Sequence, residues 1–251
     1  MGLLQNMFGK KREASQLSVL QTDIHSHLIP GIDDGAQTME ESLGMVRKLV
    51  KMGYKKLITT PHIMSDAYRN TPEIILSGLE KLREAVREDG LEIEIEAAAE
   101  YYLDEAFIEN MEKTDFMTFG GTSKYILFET SYVSKPLSLK DAIFKMKALG
   151  YAPVLAHPER YQYFWDLEDL GQIRALKKRG ALMQVNLTSF AGTRGRRAAR
   201  IAKDMAKEGL IDFIGTDLHR KAQFAPIQKA LENSRELKQL LSGDQLLNKQ
   251  L

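Results

Sequence analysis

Cysteine is absent from all 251 residues. That excludes disulfides, thiolate zinc sites, iron–sulfur clusters and any phosphatase or protease built on a cysteine nucleophile. No run of about eighteen apolar residues occurs, so the sequence offers no transmembrane helix. An excess of one charge is missing too: 35 basic against 34 acidic side chains leave a formal charge of +1. No global field draws such a chain to nucleic acid or anionic lipid. What remains is 43% hydrophobic and 27% charged, an ordinary composition for a soluble globular protein. The length suits one large domain or two small ones, and α/β barrels commonly reach it as a single unit.

The first sixteen residues, MGLLQNMFGKKREASQ, do not read as a secretion signal. Their apolar patch is short and the basic cluster follows it instead of preceding it. Gly2 is not set for myristoylation, because Asn6 stands where that motif has Ser or Thr. The extension reads as a loose cytosolic tail or as a small amphipathic contact with a partner or membrane surface.

From residue 17 onward short apolar or β-branched runs alternate with helical stretches. Seven strands are expected, over 19–24, 55–60, 91–97, 125–129, 152–156, 182–187 and 211–215. Thr38 before Met39, Glu40 and Glu41 reads as a capping box, and Thr71-Pro72-Glu73 opens a second helix. Gly53 and Gly90 stop these helices, while Gly150, Gly180 and Gly209 stand between later helices and strands, where a left-handed residue belongs. Such βα punctuation requires right-handed crossovers and a parallel sheet, open and doubly wound or closed as a barrel. No repeat, low-complexity tract or Pro/Ser-rich linker interrupts 17 to about 241, so one domain is expected, with a short helical tail after Ala225.

All five histidines fall at or just after an expected strand end: His25 and His27 after the first, His62 after the second, His157 after the fifth, His219 after the seventh. Acidic residues follow the same rule, with Glu100 after the third strand, Glu129 ending the fourth and Asp217 two residues before His219. Asp33 and Asp34 lie in the loop after the first strand. A protein with only structural histidines has no reason to place all of them on one rim. The spacings His25-x-His27 and Asp217-x-His219 put paired side chains on one side of extended backbone. Imidazoles mixed with carboxylates suit manganese, iron or zinc rather than calcium or magnesium alone. Eight or nine ligands exceed the needs of one ion and fit two or three ions sharing a bridging carboxylate, as in hydrolytic phosphoesterase sites.

Arg160, three residues beyond His157, has a planar fork that fits phosphoryl oxygens, or it pairs with Glu159 or Asp166. Arg220 beside His219 is a second candidate of the same kind. The run from Thr193 to Arg200 opens a helix, either as a solvated start or as an anion site. Tyr161, Tyr163, Phe164 and Trp165 either floor a substrate cleft, cover its rim or form a subunit contact.

Taken together, six stretches resemble the PHP (polymerase and histidinol phosphatase) family, and within it the bacterial capsule and exopolysaccharide protein-tyrosine phosphatases. They are Asp23-Ile-His-Ser-His-Leu-Ile-Pro-Gly-Ile-Asp-Asp-Gly-Ala36, Thr59-Thr-Pro-His62, Glu100, Tyr125-Ile-Leu-Phe-Glu129, Ala156-His-Pro-Glu-Arg160 and Gly215-Thr-Asp-Leu-His219. The resemblance spans almost the whole chain from Leu17, in the family's order. It implies an α/β fold, a distorted (β/α)7 TIM-like barrel, as one domain over 17–251 with a C-terminal helical tail, preceded by a flexible extension over 1–16. It also implies a manganese site of up to three ions, with iron or zinc as alternatives. His25, His27, Glu100 and Asp217 would hold the first ion, Glu100, Glu129 and His157 the second, and Asp34, His62 and His219 the third. Arg160 would bind phosphate, with Arg220 as the other candidate catalytic residue. Asp34 favours the tyrosine-phosphatase branch, because the histidinol-phosphatase branch generally has histidine there.

The implied activity is that of a cytoplasmic, metal-dependent phosphoric monoester hydrolase acting on phosphotyrosine, with metal-activated water as nucleophile. Its implied partner is a bacterial tyrosine kinase of polysaccharide export, and a homo-oligomer is compatible with it. A small-molecule phosphatase resembling histidinol phosphatase is the alternative. An accessory module is disfavoured because every expected ligand is present, and a DNA exonuclease by the near-zero charge and the lack of a basic aromatic groove.

Overall fold

A computed structural model of the chain describes residues 17–165 and 170–251; the expected extension over 1–16 lies outside them. Strands and helices alternate in a mixed α/β fold, and every strand pair is parallel. One sheet has the order β1 (Thr22–Asp23), β2 (Lys56–Thr59), β4 (Glu94–Ala97). The other runs β3 (His62–Ile63), β5 (Glu100–Tyr102), β6 (Tyr125–Glu129), β7 (Ala152–Ala156), β8 (Leu182–Asn186), β9 (Phe213–Gly215). Parallel neighbours need crossovers, supplied by α1 (Met39–Lys51), α2 (Pro72–Glu88), α3 (Glu105–Asn110), α4 (Leu139–Ala148), α5 (Gly171–Lys178) and α6 (Arg196–Lys207).

Among the described residues nine strands stand where seven were expected, because two expected strands are interrupted and resume. Thr60-Pro61 separates β2 from β3, and proline has no N–H to give the ladder. Ala98-Ala99 separates β4 from β5. Hydrogen bonds run through both interruptions, from the Ala98 N–H to the Thr59 carbonyl (3.0 Å) and from the Glu100 N–H to the Pro61 carbonyl (3.1 Å). Beyond β9 the chain returns to the segment after β1: Ser26 and Leu218 form a parallel bridge, and the Asp217 N–H donates to the His25 carbonyl at 2.8 Å.

Strand periodicity sorts the side chains into two apolar layers and a polar rim. In β6, Ile126 and Phe128 pack into the large core against the helices, whereas Leu127 joins a smaller cluster with Ile24, Ile58, Ala98, Val154 and Phe213. Residues two apart share a face. The smaller cluster's face therefore continues from Ile58 through Thr60 to His62, from Ala98 to Glu100, from Leu127 to Glu129, and from Leu182 to Gln184 and Asn186. Apolar packing at one end of this face and buried polar groups at the other follow from a single alternation.

Helix starts match their sequence signals with one shift. Thr38 accepts from the Glu41 N–H (3.2 Å), but the Glu41 carboxylate accepts from the Gln37 N–H (2.9 Å), so the reciprocal half of the box lands one residue early. Thr71 caps α2, with Pro72 in its first turn. Gly150 and Gly180 end α4 and α5 at φ 85° and 94°, a region costly for other residues.

The expected tail comprises α7 (Phe224–Asn233), α8 (Arg235–Ser242) and a final turn over Leu247–Gln250. It is docked rather than trailing. Asn248 is fully buried; its side-chain carbonyl accepts from the Ile214 N–H (3.0 Å), and its amide donates to the Ile214 and Thr22 carbonyls (2.8 and 3.0 Å). One side chain thus serves edge groups of β9 and β1 that no strand pairs. Asn248→Ala should lower unfolding free energy by about 2–3 kcal/mol, since buried groups left unpaired cost about 1–3 kcal/mol each. Urea denaturation checks this; a loss under about 0.5 kcal/mol would remove the side chain from the closure of this edge.

Candidate metal centre

The strand ends bring all five histidines together. Ring centroids lie 5.4 Å apart for His25 and His27, 3.9 Å for His27 and His219, 6.0 Å for His62 and His219, and 5.7 Å for His25 and His157. Three sets of donor atoms each fall within 4.8 Å of one another: His25, His27 and Glu100; His62, Glu100 and Glu129; and His27, Asp34, His62 and His219. Glu100 belongs to two sets. Asp217 lies beside the first, its Oδ1 3.5 Å from His25 Nε2. His157 Nε2 is 3.0 Å from Glu100 Oε1 and 3.6 Å from Glu129 Oε2. These groupings differ from the expected ones mainly in His62, which faces Glu100 and Glu129 as well as Asp34.

A second layer of side chains aims the donors, and the sequence reading did not single it out. His25 Nδ1 donates to Gln184 Oε1 (2.8 Å) and His27 Nδ1 to Asp33 Oδ2 (2.7 Å). Both rings therefore present Nε2 to the same point, with the tautomer set from behind. Gln184 donates to Asn186 (2.8 Å), and Asn186 donates to Asp217 (2.7 Å). A signal was available, because glutamine and asparagine at alternate positions of an apolar strand must find buried partners. Asp33 carried no such mark beside Asp34.

Backbone conformation aims two more. His157 at φ 34° and Asp217 at φ 49° occupy left-handed backbone, which is costly outside glycine. At His157 the turn brings inward a side chain that alternation after the inward Ala156 would send outward, whereas Asp217 already shares the face of the inward Phe213. Glu159 fixes the turn after His157: its Oε1 accepts from the Asn186 N–H (3.1 Å) and the Ser189 hydroxyl (2.7 Å), and burial pushes its pKa up to about 7.

A cavity of about 510 Å³ opens over the cluster. Its aromatic walls are Tyr68, stacked 5.4 Å from His62, and Tyr132, 5.6 Å from His157. The expected aromatic group lies elsewhere. Tyr161 is fully buried with its hydroxyl accepting from the Thr130 N–H, and Trp165 donates to the Glu159 carbonyl, so these rings brace the turn. Among the described residues Arg160 pairs with no glutamate, Glu159 included: its Nη1 is 2.9 Å from Asp217 Oδ2, and its guanidinium lies 4.5 Å from the Tyr132 ring centre. Asp166 lies outside the described residues. Arg194 and Arg220 line the same cavity.

Electrostatics divides the carboxylates. Burial raises Glu100, but His25 and His62 outweigh it and hold Glu100 ionised well below the usual range. Glu129, buried and next to that charge, is pushed well above it and keeps its proton. Burial depresses His62, and takes His157 down to about 4 with help from Arg160. Burial also opposes charge on His25 and His27, yet Glu100 with Asp217, and Asp33 with Glu100, raise them respectively.

These residues suit divalent cations. Two buried imidazoles are set by second-layer acceptors to leave Nε2 toward the carboxylates, while His157 Nδ1 is buried with no hydrogen-bond partner. The donors are nitrogen and oxygen only, the set that suits manganese, iron or zinc. Protons compete with a cation for His25 and His27, which, against burial, the neighbouring carboxylates raise, and for Glu129, which burial raises. Without cation, the raised His27 contributes stability that is full below its ordinary pKa of 6.5 and is lost as pH rises through its raised value. Added Mn²⁺ should therefore raise the denaturation midpoint more at about pH 8 than at about pH 6, where protons compete. Equal shifts at both pH values would argue against cation binding by these imidazoles.

Residues 21–242 match the family described as capsular polysaccharide synthesis, CpsB/CapC. The chain is 27% identical to tyrosine-protein phosphatase YwqE of Bacillus subtilis (strain 168) over 197 residues, 78% of this chain and 76% of that protein. It is 25% identical to the putative tyrosine-protein phosphatase CapC of Staphylococcus aureus over 216 residues, 86% and 84% of the two chains. Among solved structures it matches those of YwqE from Bacillus subtilis and CpsB from Streptococcus pneumoniae, described as metal-dependent tyrosine phosphatases. That match has a TM-score of 0.78 and 25% identity, covering 91% of this chain and 94% of the other.

Proposed function

Because the chain belongs to the CpsB/CapC capsular polysaccharide synthesis family, we propose that it is a metal-dependent protein-tyrosine phosphatase. The observation that carries this reading is the convergence of five imidazoles and the carboxylates of Asp34, Glu100, Glu129 and Asp217 in one cluster, with His62, His157 and His219 opening onto a cavity that Arg160 also lines and His25 and His27 buried beneath it. Residues 17–251 form the catalytic unit in this reading, and 1–16 an extension. The bonds through Thr60-Pro61 and Ala98-Ala99, with the Ser26–Leu218 bridge, support a distorted (β/α)7 barrel whose strand ends carry the centre.

Up to three ions, manganese first, would be shared among the nine side chains. His25, His27, Glu100 and Asp217 would hold one, Glu100, Glu129 and His157 the second, and Asp34, His62 and His219 the third. Bound ions would supply Lewis acidity and lower the pKa of a water from about 15.7 toward roughly 7, the role that a cysteine nucleophile plays elsewhere.

The chain's own residues then bind and orient. Arg160 donates its N–H fork to phosphoryl oxygens, held in place by Asp217 and by stacking on Tyr132. Tyr68 and Tyr132 flank the cavity and offer faces to an aryl group. Arg220 stands at the same wall as the second anion-binding candidate. The phenolate that leaves has a pKa of about 10, so it needs little protonation in the transition state. The substrate is a phosphotyrosyl protein, with a cytoplasmic tyrosine kinase of polysaccharide export as the physiological target.

Arg160→Ala should raise KM and lower kcat for p-nitrophenyl phosphate, by about 100-fold in kcat/KM, with bound metal near about three equivalents. Unchanged kinetics would take the arginine out of the reaction. His25→Ala and Glu100→Ala should each lose bound metal, read by elemental analysis, together with turnover. Full activity in a metal-depleted variant would end the metallohydrolase reading. Histidinol phosphate assayed beside a phosphotyrosyl peptide separates the small-molecule alternative.

A further inference from the structure

Arg194, Arg196, Arg197 and Arg200 stand exposed in sequence along the start of α6, and the first of them lines the cavity with Arg220. Helix stability does not call for arginine at this start. The first turn of α6 carries no acidic residue, and positive charge there opposes the helix dipole. Asp204 is the acid of α6 nearest the ridge, 3.6 Å from Arg200 Nε, and it also takes Lys207 at 3.1 Å. Arg194, Arg196 and Arg220 have no carboxylate partner among the described residues. In a chain of formal charge +1, this is a local concentration of positive charge leading out of the catalytic cavity.

We propose that the ridge is a docking track for acidic side chains flanking the phosphotyrosine, so that the enzyme prefers phosphotyrosine in Asp/Glu-rich sequence. The proposal rests on the phosphatase reading and narrows its substrate class. A peptide is favoured over a lipid surface for two reasons. The ridge begins at the cavity itself, so its ligand continues from the reacting group. The opposite face of α6, with Ala198, Ile201, Ala202 and Met205, is buried in the fold and offers nothing to insert in a bilayer. Arg196 and Arg200 are one helical turn apart, about 6 Å along the axis. An extended peptide rises about 3.3 Å per residue, so acids at positions two apart on one flank of the phosphotyrosine match that spacing.

The test compares phosphotyrosyl peptides carrying Glu, Ser or Lys at those positions, on either side. The Glu peptide should show KM about tenfold below the Ser peptide at low salt, and the gap should close near about 0.5 M salt. Arg196→Gln should shrink the gap severalfold while p-nitrophenyl phosphate, which has no flanking residues, is turned over as by the unaltered protein. Arg196→Glu should shift preference toward the Lys peptide, an inversion that simple destabilisation does not produce. Equal KM for the three peptides would overturn the proposal. So would binding to phosphatidylserine vesicles that is lost in Arg196→Glu without any peptide preference. If p-nitrophenyl phosphate is not hydrolysed with Mn²⁺, the phosphatase reading itself fails. Fluorescence anisotropy of a labelled Glu-rich phosphopeptide, with and without Arg196→Glu, then still decides whether the ridge binds it.

Discussion

Glu100, Glu129 and Asp217 are buried at one end of a parallel strand array, and much of the surrounding structure answers the cost of taking those charges from water. An isolated buried carboxylate is expensive, and two side by side are worse. Imidazoles, one guanidinium and a retained proton offset that cost: His25 and His62 against Glu100, Arg160 against Asp217, and protonation of Glu129. Neutral hydrogen-bonding partners would satisfy a purely structural polar core more cheaply. Imidazoles whose tautomers are set so that lone pairs face carboxylates make sense when a cation takes the space between them.

The fold positions that cluster through closure between the chain's ends. Asp23 lies in the first strand, and its carboxylate accepts from the Thr216 N–H (2.9 Å) and hydroxyl (2.6 Å) just beyond the last strand. His25 lies two residues after Asp23, and Asp217 one after Thr216. The spacing of two donors far apart in sequence is thus fixed by one buried pair, for which burial raises the Asp23 pKa to about 6. Asn248 does for the opposite end of the same seam what Asp23 does for the rim.

Residues with chemical character were legible in the sequence, and their supports were not. Histidine is rare here, so its repeated placement at strand ends carried information that a common residue could not. Strands over 125–129 and 152–156 were read to the residue, because short apolar runs that begin soon after a glycine leave little choice. The break at Pro61 was in plain view, yet periodicity says only that a strand stops there, not that it resumes at His62. Gln184, Asn186 and Asp33 escaped because their role is relational: each matters through a partner that only the tertiary fold supplies. The aromatic group after His157 stayed open for the opposite reason, since hydrophobic rings near a site pack a turn as readily as they line a cleft.

Left-handed backbone at His157 and Asp217 shows where the fold accepts strain. Such conformations cost about 1–3 kcal/mol each outside glycine; Gln21 and Lys124 carry them on the exposed surface, whereas His157 and Asp217 carry them on buried side chains of the cluster. Alternation along β7 assigns Ala156 to the inner face and would turn residue 157 outward toward the helices; the positive φ reverses that. The strain is held by a contiguous set of bonds: Glu159 to Ser189 and the Asn186 N–H, Asn186 to Asp217, and Asp217 to Arg160. Arg160 is therefore tied to the same network that aims Asp217. Its guanidinium keeps donors free for an anion only because Asp217 engages one edge of the fork and Tyr132 covers a face. Lysine would lack both the second edge and the stacking plane, so the planar side chain at this position is dictated by the geometry that holds it.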